Sequence, residues 1–543
     1  MLFGGMHTCR TGSEPVPRGR GNPVRPRSGR RVFGSKRVRR PRTKSAPKDC
    51  HLFETEFLTS APDSHDTYRH LISLASQIVR EALPAQPYTG KTPIQLARLV
   101  EDTFLPDSPV SLERVGEILR TVAANSIAVN HPHTAAHLHC PPLLAALAAE
   151  VVISALNQSM DSFDQAPIAT VVEQKLVRWL CSEAGLPDTA DGTFTTGGSQ
   201  SNYFGLLLAR DAFVQKQWNW SAQKAGLPAE AKRLRIFCSE VAHFTVEKSA
   251  AQLGLGTGAV VRVKVDEHFR MDANALQDAV EKAQTDGLLP MAIVATAGTT
   301  DSGSIDPLLE IAKIARETGA WLHLDAAYGG ALLFSKQHRE KLRGIEAANS
   351  LSIDFHKLFW QPIPCSVFLL RNARHFDLMK MHADYLNPEL HEPEGVPNLV
   401  TTSLLTSRRF DALKLWISFQ SLGLDKFAAM IDRTIELARR AADCVSRTPK
   451  LQLMCQPQLS TVVFRYVPSQ ADLDADRVNT ALRQRLFDQG VAVIGHTRVR
   501  NCQCLKFTCM NPAVSEGQFE SLIRTIVSEG EALCGNLAHD SRG

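Results

Sequence analysis

Residues 291–326, "MAIVATAGTTDSGSIDPLLEIAKIARETGAWLHLDA", set an apolar run rich in β-formers, a helix-length amphipathic segment and a second apolar run in succession. Strand, helix and strand at this spacing make a crossover unit, and the two strands it joins lie parallel in one sheet. The same alternation extends toward the N-terminus. "RLRIFCS" (233–239) precedes the helical "FTVEKSAAQLG" (244–254), and "AVVRVKV" (259–265) precedes "DANALQDAVEKAQTDG" (272–287). Asp272 and Asp306 stand where helix N-caps belong, and Gly287 and Gly319 where the helices should stop. The reading is a doubly wound α/β domain with a mostly parallel sheet covered on both faces. Beyond about residue 414, "FAAMIDRTIELARRAADCV", "STVVFRYV", "VNTALRQRLFDQG", "VAVIGHT" and "CLKFTCMN" read as a smaller α+β domain.

Bulk properties narrow the class. The chain has 543 residues, 44% hydrophobic and 22% charged, with a formal net charge of +5. That sum hides an uneven distribution. Residues 1–50 hold 14 of the 61 basic and 2 of the 56 acidic residues, so residues 51–543 carry 47 and 54, a net −7. The basic head is rich in Arg, Pro, Gly and Ser and is expected to be disordered. Nucleic acid or an anionic surface could touch that tail alone. The longest apolar run, "PPLLAALAAEVVISAL", is interrupted by Glu150 and is shorter than the roughly 20 residues a bilayer demands. The N-terminus lacks the apolar core of a secretory signal. Twelve cysteines are scattered, without paired zinc-like spacing, so a cytoplasmic protein with reduced thiols and no metal site is expected.

Ligands of open parallel sheets bind at the carboxyl ends of the strands, so polar residues there carry the most weight. Four positions qualify. "TFTTGGSQSNYF" (193–204) runs from a Gly-Gly-Ser turn at Gly198 and Ser199 into a helix, whose free amides suit an anion such as phosphate. Asp325 ends "WLHLDA", where a buried carboxylate needs a cation or several donors. His243 comes just after another strand. Lys357 sits in the strand-like "SLSIDFHKLFWQPIPCSVFLLR" (350–371), which is otherwise almost wholly apolar and aromatic. Each of the four alone is explained as well by structure. Together they meet the needs of pyridoxal phosphate: an anion cradle, a carboxylate for the ring nitrogen, a flat group against the ring, and a lysine that forms a Schiff base.

In these residues the chain resembles the group II pyridoxal-phosphate decarboxylases, over about residues 120–540. Ser350, Lys357, Cys365, Phe368 and Arg371 fit that family's lysine-site signature, and "TTGGSQSN", "AHFTVEK", "GTTDSGSIDP" and "HLDAAYGG" look like its other motifs in order. The resemblance implies the aspartate-aminotransferase-like fold (fold type I) with a central seven-stranded sheet. The divisions expected are a tail at 1–50, a dimer-wrapping helical segment at 51–143, a cofactor domain at 144–413 and a small domain at 414–543. It also implies roles. Lys357 is the Schiff-base lysine; His356, Gly198 and Ser199 hold phosphate; Asp325 meets the ring nitrogen; Ala327 and His243 take the two ring faces; Thr300 lies beside the cofactor. Tyr385, in "HADYLNPELHEPEGVPN", matches a lid tyrosine that returns a proton.

For substrate, "NHPHTAAHLHC", "HADYLNPE" and "TSRRFDALKLW" look most like the bacterial branch acting on L-2,4-diaminobutyrate. His131, Asp161 and Asp164 become the substrate-side candidates, because a carboxylate in the pocket attracts a distal ammonium and repels a glutamate side chain. Decarboxylation of lysine, ornithine, glutamate or an aromatic amino acid is the alternative. An aminotransferase, a desulfurase or a nucleic-acid-binding protein without catalysis stands further off. A homodimer with its active site at the interface is implied by the family.

Overall fold

The computed structural model describes residues 56–540, apart from 83–85, 102–103, 106–107 and 392. The basic tail predicted at 1–50 lies outside these residues. The chain divides into Met1–His65 and a compact unit from Asp66 onward. Of the former, residues 56–65 are described, a turn running into the start of a helix.

The N-terminal part carries α1 (Pro62–Glu81), α2 (Pro93–Glu101), α3 (Leu112–Ala124), the two-residue strand β1 (Thr134–Ala135) and α4 (Leu144–Leu156). Next come α5 (Pro167–Glu183), β2 (Asp191–Thr195), α6 (Gly198–Trp218), the single turn α7 (Ala222–Ala225), β3 (Leu234–Ser239), α8 (Thr245–Gln252) and β4 (Val260–Val263). They are succeeded by α9 (Ala273–Thr285), β5 (Leu289–Thr296), α10 (Leu308–Thr318), β6 (Trp321–Asp325), β7 (Ser350–Asp354) and β8 (Ser366–Leu370). The chain closes with α11 (Ala412–Arg447), β9 (Leu451–Leu453), β10 (Thr461–Tyr466), α12 (Ala475–Asp488), β11 (Val493–Val499), β12 (Cys502–Thr508) and α13 (Glu516–Asp540).

The large sheet has seven strands in the order β2-β8-β7-β6-β5-β3-β4. Only β8 runs against its neighbours, so the expected mostly parallel sheet is present. Strands β6, β7 and β8 are buried at every residue, as a sheet covered on both faces requires. Alternate residues feed opposite cores. Ile293, Ala295, Leu322 and Leu324 pack on one side with α9 and α10 residues, and Ala292, Val294 and Trp321 on the other with α6 and α8 residues.

One helix cap and both helix stops form where the sequence places them, Gly287 with a φ of 73° just after α9, and a second cap does not. Asp272 accepts from the amides of Asn274 and Ala275, and Gly319 is left-handed at the end of α10. Asp306 is no cap. Its carboxylate accepts from Met271 N at 2.7 Å and Thr296 N at 2.8 Å, bridging two chain segments inside the core. Complete burial pushes its carboxyl up to about 6, against those two amide bonds that lower it.

A second, five-stranded sheet is ordered β1-β11-β12-β10-β9. Its edge strand β1 comes from the N-terminal segment and pairs parallel to β11, Thr134 opposite Val493. Segment 51–143 therefore contributes a strand as well as helices. Helix α11 spans the two cores and bends at Gly423, whose φ of 71° is outside the helical range. Among the described residues no helix is long and apolar enough to cross a membrane.

Candidate active site

Strands β2, β3, β5, β6 and β7 end on the same edge of the large sheet, and the residues at and just beyond those ends surround one cavity of about 330 Å³. That volume suits a small ligand. Gly198 and Ser199 after β2, His243 after β3, Thr300 after β5, Asp325 and Ala327 at the end of β6, and His356 and Lys357 after β7 all line it. Residues from 196 to 357, separated in sequence, are thus brought together as the sequence implies. Lys357 lies in the turn that follows β7, after a strand as the sequence reading expects.

The Gly-Gly-Ser turn opens the 21-residue helix α6 with no side-chain cap. The first amides of a helix have no carbonyl behind them, so Gly198 and Ser199 present N–H groups and the positive helix end to the cavity. A Cβ built on Gly198 would stand 3.1 Å from both Ala327 Cβ and Asp354 Oδ2, which leaves no room for a side chain between helix and cavity floor. The Thr296 hydroxyl, on the cavity wall, is buried without a hydrogen-bond partner. Such an orphan group fits a polar ligand. Amide-rich anion cradle, buried carboxylate and lysine amine together fit pyridoxal phosphate.

Asp325 is held by neutral donors. Asn202 Nδ2 donates to its Oδ2 at 2.7 Å and Ala327 N to Oδ1 at 3.1 Å, while the single hydrogen of the Ser352 hydroxyl is shared between Asn202 Oδ1 at 2.8 Å and Asp325 Oδ1 at 3.3 Å. The network behind it has a fixed direction. Trp321 Nε1 can only donate, and it donates to Ser350 Oγ at 2.8 Å. Asn202 Oδ1 can only accept, so His323 donates to it from Nε2 at 3.0 Å, which leaves Nδ1 of the neutral ring to accept from the Ser350 hydroxyl at 2.8 Å. The second hydrogen of Asn202 Nδ2 reaches Thr245 Oγ1 at 3.0 Å, and Thr245 donates to His243 Nδ1 at 2.9 Å. His243 is thereby set with its remaining hydrogen on Nε2. Burial lowers His323 to about 4, partly opposed by Asp325, so its ring is neutral as this wiring requires. Burial also lowers His243.

A second carboxylate, Asp354, stands 2.8 Å from Lys357 Nζ and 3.6 Å from His356 Nε2. Burial alone would raise it. The charges of Lys357 and His356, with hydrogen bonds from Lys357 and Ser366, outweigh burial and hold it below the usual value. His356 is pushed down by burial, and its Nδ1 lies 3.0 Å from Cys365 O. Behind the turn, the fully buried Lys414 meets Glu150 at 3.0 Å and Asp411 at 2.8 Å and donates to the carbonyls of Pro362 and Pro364, which fixes the chain after Lys357.

Four candidates lie elsewhere. Tyr385 is 88% exposed. Its loop is stapled by Asn387, whose side chain bonds Met381 O at 2.8 Å and Ala383 N at 3.1 Å. Asp161 is buried and accepts from Ser162 N at 3.0 Å, while Asp164 accepts from the Ser162 hydroxyl. His131 Nδ1 accepts from His133 N. None of the four lines the cavity of this chain. Conversely, Asn202, Asp354 and Lys506 carry no signal of their own in the sequence. Lys506, buried on β12, reaches from the second sheet to Thr300 O and Asp301 Oδ1, both at 3.0 Å, and pins the loop at the cavity rim.

Comparison with known proteins decides the family. The model of the pyridoxal-dependent decarboxylase conserved domain matches residues 93–467. The chain belongs to the pyridoxal-dependent decarboxylases. As an enzyme of this family it uses pyridoxal phosphate to decarboxylate an amino acid. A protein of Acinetobacter baumannii named L-2,4-diaminobutyrate decarboxylase is 43% identical over 436 residues, 79% of this chain and 85% of that protein. One of the same name from Rhizobium meliloti (strain 1021) is 40% identical over 461 residues, 84% and 90% of the two chains. A crystal structure from Vibrio parahaemolyticus superimposes with a TM-score of 0.82 at 38% identity, covering 90% of this chain and all of that one. It is described as the glutamate decarboxylase domain of diaminobutyrate-pyruvate transaminase and L-2,4-diaminobutyrate decarboxylase.

Proposed function

We propose that this decarboxylase converts L-2,4-diaminobutyrate to 1,3-diaminopropane and CO2. The observation that carries the reading is the convergence of Lys357, Asp325 and the opening of α6 on one cavity, in a chain 43% identical to a protein with that name. When bound, pyridoxal phosphate supplies the sink for the electron pair left as the Cα–carboxylate bond breaks. Lys357 provides the amine that anchors the cofactor, and the amides of Gly198 and Ser199, with His356, hold its phosphate. Asp325 would face the ring nitrogen with its carboxylate. Asn202 and Ser352 hold that carboxylate still, so its charge is preorganised rather than supplied by mobile water. Ala327 and His243 confine the ring between them, and Thr300 closes the rim.

The far ammonium of the substrate needs an acceptor. We assign it to Asp164, with His131 in the same role, acting in the cavity of a second copy because neither lines the cavity of its own chain; Asp161, buried within its own chain, supports that segment through the Ser162 amide. The exposed apolar residues Leu144, Val152 and Leu156 on α4, and Ile168 on α5, support a homodimer. Tyr385 then returns a proton to the substrate carbon from its stapled loop. Free thiols at all ten described cysteines support a cytoplasmic setting.

The test is a panel of amino acids incubated with protein and cofactor, combined with amine and CO2 analysis. Diaminobutyrate should react fastest, without a keto acid. Faster turnover of lysine, ornithine, glutamate or an aromatic amino acid overturns the substrate assignment, and dependence on a keto acid overturns the reaction.

A further inference from the structure

The cavity holds one more carboxylate than the proposed chemistry assigns. Asp354 ends β7 and is 3% exposed. Its amide donates to Ala327 O at 3.2 Å, its Cα is in register with Ser366 of β8, and its Oδ1 accepts from the Ser366 hydroxyl at 2.7 Å. Backbone and side chain are thus fixed from two strands. Lys357 Nζ sits 2.8 Å from Oδ2 at the end of four methylenes and can swing.

The two buried acids have different surroundings. Asp325 takes its hydrogen bonds from an amide side chain, a hydroxyl and a backbone amide, all neutral. Asp354 faces the Lys357 amine and the His356 imidazole of its own turn. His243, from the loop before α8, interacts with both Asp354 and Lys357 and also with Asp325 on β6 and Asp301 after β5, while Lys414 on α11 acts on His356. Among them Asp354 is the carboxylate in direct contact with the Lys357 nitrogen.

We propose that Asp354 is a catalytic residue that tunes the proton affinity of the Lys357 nitrogen through their direct contact. This rests on the assignment of Lys357 as the cofactor's anchor. A carboxylate at contact distance favours the charged nitrogen, and burial strengthens the effect by removing screening water. The helix end at Gly198 shares the same region: its Cβ position is 3.1 Å from Asp354 Oδ2. Asp354 therefore has a second effect, since its charge opposes that of an anion in the cradle.

The experiment is a pH titration of the visible absorbance of the cofactor-loaded enzyme, in wild type and in Asp354→Asn, which keeps shape and removes charge. The midpoint should fall by about 1–3 pH units in the variant. Asp354→Glu, which keeps the charge, should bring it back toward wild type. A parallel measurement on protein without cofactor tracks the pH dependence of Lys357 acylation by peptide mass spectrometry, and its midpoint should fall in the same variant. If Asp354→Asn does not fold, Asp354→Ser carries the same expectations. A midpoint unchanged in a folded variant that still carries the cofactor on Lys357 overturns this inference and leaves the anchor assignment standing. A wild-type enzyme with no reducible cofactor band at Lys357 overturns both.

Discussion

Asn202→Ala removes the amide that holds Asp325 in place, and its cost is set by the bonds it cuts. Asn202 Nδ2 donates to Asp325 Oδ2 at 2.7 Å and to Thr245 Oγ1 at 3.0 Å, while its Oδ1 accepts from Ser352 and His323. A hydrogen bond to a charged carboxylate contributes about 1.5–3 kcal/mol. Asp325 retains Ala327 N and Ser352, so it should remain in the cavity without a fixed orientation for the oxygen that meets the ring. If the lost bond matters in the transition state, kcat falls by about 10- to 100-fold, with a smaller change in KM. Steady-state CO2 release at saturating cofactor measures both constants, and equilibrium titration gives cofactor affinity. Thr245→Val cuts only the branch to His243 and should lower kcat less. The reasoning is refuted if Asn202→Ala binds cofactor like wild type and loses less than about threefold in kcat.

Three further outcomes are expected. Asp306 has a folded-state value of about 6 against 3.8 when unfolded, so the native state holds its proton over that interval. Its stabilising effect is full below the unfolded value and is lost as pH rises through the folded one, by about 3 kcal/mol. Denaturant titrations of Asp306→Asn between about pH 4 and pH 7 should show a correspondingly smaller decline than wild type. Arg408→Ala strands Glu173, which the guanidinium meets through two bonds at 2.8 and 2.6 Å in the core. Destabilisation of about 3–5 kcal/mol should appear in equilibrium unfolding. Gly205→Ala places a Cβ 2.3 Å from His323 Nδ1, so the ring must shift. Cofactor affinity should drop, together with the link from Trp321 to Asn202, and a variant with wild-type affinity would show that the His323 position is unimportant.

The fold was legible because the large sheet is built from local units. Each parallel strand is an apolar run, each crossover helix has its own amphipathic pattern, and Gly287 and Gly319 mark their ends. Site residues placed directly after strands were legible for the same reason, since the sheet carries all those ends to one edge. The features that escaped depend on partners far along the chain. Asp306 looks like a cap but binds Met271 and Thr296, and Asn202 is ordinary in a helix until Asp325 and His323 arrive 123 and 121 residues later. Lys506 belongs to the second sheet and reaches back 206 residues to Thr300. β1 is too short for a periodic pattern and exists because β11 offers an edge. Tyr385, Asp161, Asp164 and His131 rest on resemblance, and they are the ones outside the cavity of the single chain.

The central claim is that Lys357 anchors the cofactor opposite Asp325. Borohydride reduction of the loaded protein, then digestion and peptide mass spectrometry, tests it directly. The account predicts one pyridoxyl adduct, on Lys357 within residues 350–371, and its disappearance in Lys357→Ala. An adduct on a different lysine, or a yellow loaded protein that yields none at this position, contradicts it.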